Sequence, residues 1–222
     1  MVTISGTFGI LRPPEPFNEP VKNYAPDSPE RASLVDRLSK MAGDRVDIPM
    51  VIGGREVTSG DIYEAVMPHD RKHVLGDVHQ ATADHLGQAV DAAREAHEDW
   101  AALPWEDRAA IFLRAADLLA GPWRDVVNAA TMLGQSKTVH QAEIDAACEL
   151  IDFWRYNVHF AARIYAEQPV SAPGTWNQSD YRPLEGFVFA VTPFNFTSIA
   201  ANLPTAPALM GNTVVWKPSL TQ

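Results

Sequence analysis

The stretch GFVFAVTPF, residues 186–194, decides the fold. It is a nearly continuous apolar run of strand length, of the kind that a strand buried on both faces of a sheet requires. A helical stretch over residues 198–210 follows, then a Gly211-Asn212 stop, then a second apolar run, TVVWKP, at residues 213–218. Strand, helix, strand is a βαβ unit, with a right-handed crossover and parallel strands. Ligands of such sheets collect beyond the carboxyl ends of the strands. That singles out Thr192, Phe194, Asn195 and Phe196 after the first run, and Lys217 and Ser219 after the second. An asparagine there offers an uncharged N–H donor for a developing oxyanion, and a lysine offers a mobile cation for hydroxyl or phosphate oxygens. The spacing leaves a plainer alternative open, in which Asn195 caps the next helix and Lys217 is a solvated strand end.

Upstream, PVSAPGTWNQSDYRP (169–183) is punctuated by Pro and Gly, and before it residues 138–167 predict one long helix. Its buried stripe steps by three and four through Ala147, Ile151, Trp154, Val158, Ala161 and Tyr165. Three shorter helices precede it. Thr82 caps one with a stripe through Leu86, Val90, Ala93, His97 and Trp100; residues 104–120 form another through Ile111, Ala115, Leu118 and Leu119; Pro122 opens the third through Trp123, Val126, Val127 and Ala130. Trp100, Trp123 and Trp154 fall on these stripes and are expected in the core. Before the helices, VIGGREV (51–57), YEAVMP (63–68) and HVLGDVHQA (73–81) read as a meander or pair of hairpins. The stretch to Pro49 is proline-rich and reads as an extended arm with one helix over residues 28–41. The expected division is therefore 1–49, arm and short helix; 50–168, β-meander and helices; 169–186, a linking segment; 187–222, the βαβ unit.

Composition bounds the function. The 222 residues hold 18 Lys+Arg against 28 Asp+Glu, a net charge of −10 with no basic block, which disfavours nucleic acid and anionic membrane surfaces as partners. No apolar run reaches the roughly 18 residues of a membrane span, and the start MVTISGTFGILRPPEP lacks the basic and apolar regions of an export signal. The one cysteine, Cys148, removes any intrachain disulfide and fits a reducing, cytoplasmic setting. It is expected as a structural, partly buried thiol, with no cation nearby to lower its pKa. His69 and His73 stand four apart without a third ligand, so no metal site is expected.

VTPFNFTSIAANLPTAPALMGNTVVWKPS (191–219) resembles the aldehyde dehydrogenase superfamily, whose members carry a Pro-aromatic-Asn-Phe segment followed by Gly-Asn-x-Val-Val-x-Lys-Pro. Phe194 in place of the common Trp, Thr197 after the second Phe, and the stretches QSKTVHQAEIDAACELIDFWRYN (135–157) and YRPLEGFVFAVTPFNFT (181–197) resemble its glutamate-semialdehyde branch more narrowly. The implied fold is α/β: the N-terminal part of the family fold, helices and β-hairpins leading into an incomplete Rossmann-like parallel sheet, with an oligomerisation-type hairpin in residues 169–186. The implied activity is NAD-dependent oxidation of L-glutamate γ-semialdehyde to L-glutamate, in proline breakdown. Asn195 matches the oxyanion donor and Lys217 the lysine at the adenosine ribose, with Ser219 beside it. Thr192 and Phe194 match positions lining the nicotinamide, and Phe196 an aromatic wall of the aldehyde tunnel.

The resemblance also implies a nucleophilic Cys and a general-base Glu downstream of the Lys-Pro segment. Neither occurs before Gln222, so these residues are expected to be inactive alone and to form a homo-oligomer in the full-length protein. Leu220 stands where NAD-preferring relatives often have an acid for the ribose hydroxyls, leaving NAD and NADP both open. Glu143 is placed either at the substrate's α-amino group or as an exposed helix-face carboxylate. Two other functions stay open: a semialdehyde dehydrogenase with another substrate, and a non-catalytic module that pairs through its open sheet edges.

Overall fold

The computed structural model describes residues 12–221. The expectation of no export signal falls largely on residues 1–11, outside the described residues. From residue 12 the arm runs without regular structure to α1 (Pro29–Gly43), where the Ser28 hydroxyl caps the helix by accepting from the Arg31 amide.

Three short strand pairings follow. β2 (Met50–Ile52) and β3 (Arg55–Val57) form an antiparallel hairpin across Gly53-Gly54, whose φ angles of 57° and 74° make the mirror-image turn that matches strand twist. β4 (Ile62–Met67) and β5 (Asp70–His79) pair antiparallel, and β1 (Val46–Ile48) adds a parallel edge to β5. This last strand lies inside the expected arm. Three residues with every side chain exposed carry no alternation from which to read a strand. Gly76 makes the pairing possible, since a Cβ there would lie 2.6 Å from the Val46 carbonyl oxygen.

The stripe expected as one helix from Thr82 to Trp100 is two: α2 (Ala83–Glu95), capped by Thr82, and α3 (His97–Ala102), meeting at Ala96. Leu86 is exposed. In α4 (Trp105–Ala120) the buried face is Arg108, Ala109, Phe112, Ala116 and Leu119, one position round from the expected stripe, and Ile111 faces outward. Trp123, ahead of α5 (Arg124–Gln135), is 54% exposed and not core, while Trp100 and Trp154 pack against the core clusters. Arg108 is buried because it serves as a cap. Its guanidinium donates to the carbonyls of Trp100, Ala101 and Leu103 at the end of α3 and to the Leu209 carbonyl.

The long helix is α6 (Val139–Ala142), a π-helix (Glu143–Cys148) and α7 (Glu149–Ala166) in unbroken succession. It carries the buried residues Ala147, Ile151, Val158 and Ala161 of the expected stripe. The wider π turn was not legible in the apolar spacing. Residues 167–186 fold back on themselves with no assigned strand; the Ser179 amide donates to the Gln168 side chain and the Tyr181 hydroxyl to the Glu167 carbonyl.

β6 (Phe187–Val191), α8 (Thr197–Leu209) and β7 (Thr213–Lys217) form the expected βαβ unit, with β6 and β7 parallel from Phe187↔Thr213 to Val191↔Lys217. α8 docks on α7 through Trp154 Nε1 to Thr205 Oγ1 (3.0 Å) and Asn157 to Asn202 (2.8 Å). Burial of β6 on both faces is not met among the described residues: Phe189 and Val191 are 56% and 55% exposed, so one face of this pair is open. No helix among the described residues is long and apolar enough to cross a membrane.

Candidate functional site

In-register parallel pairing sets Val191 against Lys217, and the Thr192 amide donates to the Lys217 carbonyl at 3.3 Å. The two strand ends therefore stand side by side. Thr192 is buried and its hydroxyl accepts from Trp216 Nε1 at 3.0 Å, which ties the first residue past β6 to β7. Phe194 and Asn195 are exposed on the loop between β6 and α8. Asn195 is not the helix cap. That position belongs to Phe196, which has extended backbone and makes no side-chain cap bond, so the Asn195 amide stays available. Lys217 is exposed at the end of β7, and Ser219, partly buried, bonds to Thr221 through its hydroxyl at 3.1 Å.

Phe194 and Asn195 line a cleft of about 620 Å³ between this loop, the end of α5 and the β4–β5 sheet. Lys137, Arg71, Tyr63 and Leu133 form other parts of its wall, with no acidic side chain among the described lining residues. Lys217 and Ser219 lie outside that lining, though Leu220 and Thr221 belong to it. Phe196 turns toward Lys137, whose Nζ sits 4.3 Å from the ring centroid. Lys217 brings an ammonium and Ser219 a hydroxyl to this end of β7, and Leu220 brings no carboxylate beside them.

Glu143 is in neither expected place. It is fully buried in the π-helix, and its carboxylate accepts from the Lys22 amide (2.7 Å), the Tyr24 hydroxyl (2.7 Å), Asn128 Nδ2 (2.8 Å) and Arg124. With its lone pairs committed to the arm and α5, it has nothing to offer a substrate amine, and it is not a surface carboxylate. Arg124 also binds Glu19 at 2.5 Å, and Arg155 binds the other Glu19 oxygen at 2.8 Å. Burial would raise the Glu143 carboxyl, but hydrogen bonds from Arg124, Lys22 and Tyr24 hold it down at about 2.

That depression makes a pH prediction. A carboxylate at about 2 in the fold against 4.5 for the ordinary group contributes about 3 kcal/mol, complete above the ordinary value and lost as pH falls from 5 toward 2. Thermal unfolding followed between pH 7 and pH 3 should show a falling Tm whose slope flattens in Glu143→Gln; equal slopes in the two proteins would remove Glu143 as the cause.

Cys148 is buried as expected, but the expected absence of a cation fails: Arg124 Nη2 lies 3.4 Å from Sγ. Burial and the Glu143 charge outweigh that cation and push the thiol up to about 12. His69 bonds Ser136 and His73 bonds the Ala42 carbonyl, each ring serving its own local contact. Among the described residues no group of three His, Cys, Asp or Glu gathers to hold a metal.

Sequence reasoning missed a cluster behind Phe196. Asp145 pairs with Lys137 and accepts from Ser198 Oγ at 3.0 Å, while Glu149 Oε2 lies 2.9 Å from the same hydroxyl. The sequence signal is two acids, two and six positions after Glu143, off the apolar stripe of that helix.

Residues 56–222 match a family model described as "Aldehyde dehydrogenase family". Over 208 residues the chain is 50% identical to delta-1-pyrroline-5-carboxylate dehydrogenase of Agaricus bisporus, covering 93% of this chain and 38% of that protein. The mitochondrial enzyme of that name from Mus musculus is 50% identical over 204 residues, 92% of this chain and 36% of that one. The crystal structure of the Mycobacterium tuberculosis delta-pyrroline-5-carboxylate dehydrogenase bound with NAD is 61% identical, with a TM-score of 0.96 over 97% of this chain and 41% of that one. The chain thus spans well under half the length of each of these relatives.

Proposed function

The chain belongs to the aldehyde dehydrogenase family, and from that premise we propose that it supplies the cofactor-side half of an NAD-dependent dehydrogenase that oxidises L-glutamate γ-semialdehyde, the open form of 1-pyrroline-5-carboxylate, to L-glutamate. One observation carries the proposal: the Asn195 loop and Lys217 stand at the carboxyl ends of two adjacent, in-register parallel strands. Asn195 is proposed to donate its amide N–H to the oxyanion that develops as the aldehyde carbon becomes tetrahedral. Lys217 and Ser219 are proposed to hold the adenosine ribose, and the backbone at Thr192 and Phe194 to line the nicotinamide side. Phe196 is proposed as an apolar wall beside the aldehyde. NAD, when bound, accepts the two electrons and the proton that leave the aldehyde carbon, and water supplies the second carboxylate oxygen.

The nucleophile is not proposed from these residues. Cys148 is buried, held in its thiol form at neutral pH and committed to Arg124 and Glu143. Val170 and Trp176, 93% and 87% exposed in the folded-back segment, support self-association of the full-length protein through that segment. A reducing compartment suits the one free thiol.

The test is a chimera in which residues 1–222 replace the corresponding part of the Mycobacterium tuberculosis enzyme. The chimera should form NADH from 1-pyrroline-5-carboxylate, and the 222-residue chain by itself should form none. A well-folded chimera that oxidises succinate semialdehyde in preference would overturn the substrate assignment, and turnover by the isolated chain would overturn the exclusion of Cys148.

A further inference from the structure

We propose that Asp145, acting with Lys137, is the positioning residue for the Asn195 loop; this rests on the reading of Asn195 as the oxyanion donor. An oxyanion donor works because it is already aimed where charge will develop, and that requires a rigid support. Asn195 supplies none of its own. It is exposed, and the helix that follows has Phe196 at its cap position with no side-chain cap bond. The support comes from the next three residues, each gripped by a side chain from the stretch that runs from α5 to α7.

Phe196 lies with its ring 4.3 Å from the Lys137 ammonium. Thr197 Oγ1 is bonded to Thr131 Oγ1 at 2.9 Å and accepts from Gln135 Nε2 at 2.8 Å. Ser198, fully buried, sets its one hydroxyl proton between Asp145 Oδ1 at 3.0 Å and Glu149 Oε2 at 2.9 Å. Asp145 reaches two of these three positions, Ser198 directly and Phe196 through Lys137, because its second oxygen forms the ion pair that keeps the ammonium in place. Loss of that charge leaves the Lys137 ammonium without its ion pair at the wall of the cleft, and a strongly hydrated ammonium leaves a ring face for water. Thr197 and the Ser198 contact with Glu149 would persist, so the damage falls on the Phe196 side of the loop, next to Asn195.

The same helix serves the arm and α8 at once. Residues two apart on a helix face different ways, so Glu143 turns to Arg124 and the arm while Asp145 turns to Ser198 of α8 and to Lys137. Both are buried, which no exposed-face helix would allow.

The side-chain amide signals of Asn195 in the ¹⁵N-labelled 222-residue chain read the proposal directly, with the Asn202 side chain, whose oxygen accepts from Asn157 Nδ2, as the internal reference. Asp145→Asn and Lys137→Met should each cost the Asn195 pair about half or more of its intensity relative to Asn202, through microsecond-to-millisecond exchange. Lys137→Arg should restore it, because a guanidinium keeps both the ion pair and the ring contact. Lys137 is partly exposed, so its variants carry the test if Asp145→Asn does not fold. An Asn195 pair unchanged in Lys137→Met, or Lys137→Arg behaving as Lys137→Met, overturns the positioning role. Neither result touches the oxyanion reading, whose failure would appear as chimera turnover indifferent to Asn195→Ala.

Discussion

Arg124→Met is expected to unfold at a markedly lower denaturant concentration than the parent chain, a loss of about 3–5 kcal/mol. The guanidinium is almost wholly buried and meets two carboxylates at once, the part-buried Glu19 at 2.5 Å and the fully buried Glu143, and donates to the Pro20 carbonyl at 2.8 Å. Methionine fills much of the volume but leaves Glu143 without its cation in a region closed to water, while Glu19 keeps Arg155. Taking up a proton lets Glu143 stay buried, and that proton uptake is itself a cost to folding at neutral pH. Equilibrium urea unfolding by tryptophan fluorescence measures the loss. The double variant Arg124→Met/Glu143→Gln should recover part of it, since Tyr24, Asn128 and the Lys22 amide can still bond a glutamine and one buried charge is gone. A loss below about 1 kcal/mol for Arg124→Met would place the network among surface pairs in energetic terms, and the arm would need another explanation for its docking.

The arm's attachment was the least legible part of the molecule. Its prolines marked an extended segment, but Glu19 and Tyr24 meet Arg124 and Glu143 from more than a hundred residues away, and a single sequence carries no signal for a long-range ion network. Buried Arg124 and Arg108 sit where charge normally marks a solvated face, so patterning assigned the stripes of α4 and α5 to neighbouring apolar positions such as Ile111 and Trp123. Polarity misled twice more, with Glu143 and Asp145. By contrast, the βαβ unit was legible because an apolar run, a helix and a second apolar run admit few arrangements, and the loop residues between them followed from strand direction alone. Expected burial on both faces of β6 did not hold, because periodicity reports what a strand is suited to and not what covers it.

The same loop carries the largest expected effect on turnover. In the chimera, Asn195→Ala should lower kcat by about 10²- to 10³-fold while leaving the KM for NAD nearly unchanged, because the lost bond forms only as the carbonyl oxygen gains charge. Lys217→Met should do the reverse, raising the KM for NAD with a smaller change in kcat, since the contact proposed with the ribose would be made equally in the ground and transition states. Both residues stand past the ends of paired strands, Asn195 on the loop after β6 and Lys217 opposite Val191, so the two variants probe neighbouring points with distinct chemistry. Aspartate at position 195 discriminates further. It matches asparagine in shape but presents a carboxylate to the developing oxyanion, so it should be at least as damaging as alanine, whereas a role confined to loop packing would leave it close to the parent. Steady-state kinetics of the three variants separates these outcomes, and a kcat for Asn195→Ala within about threefold of the parent would remove Asn195 from the chemical step.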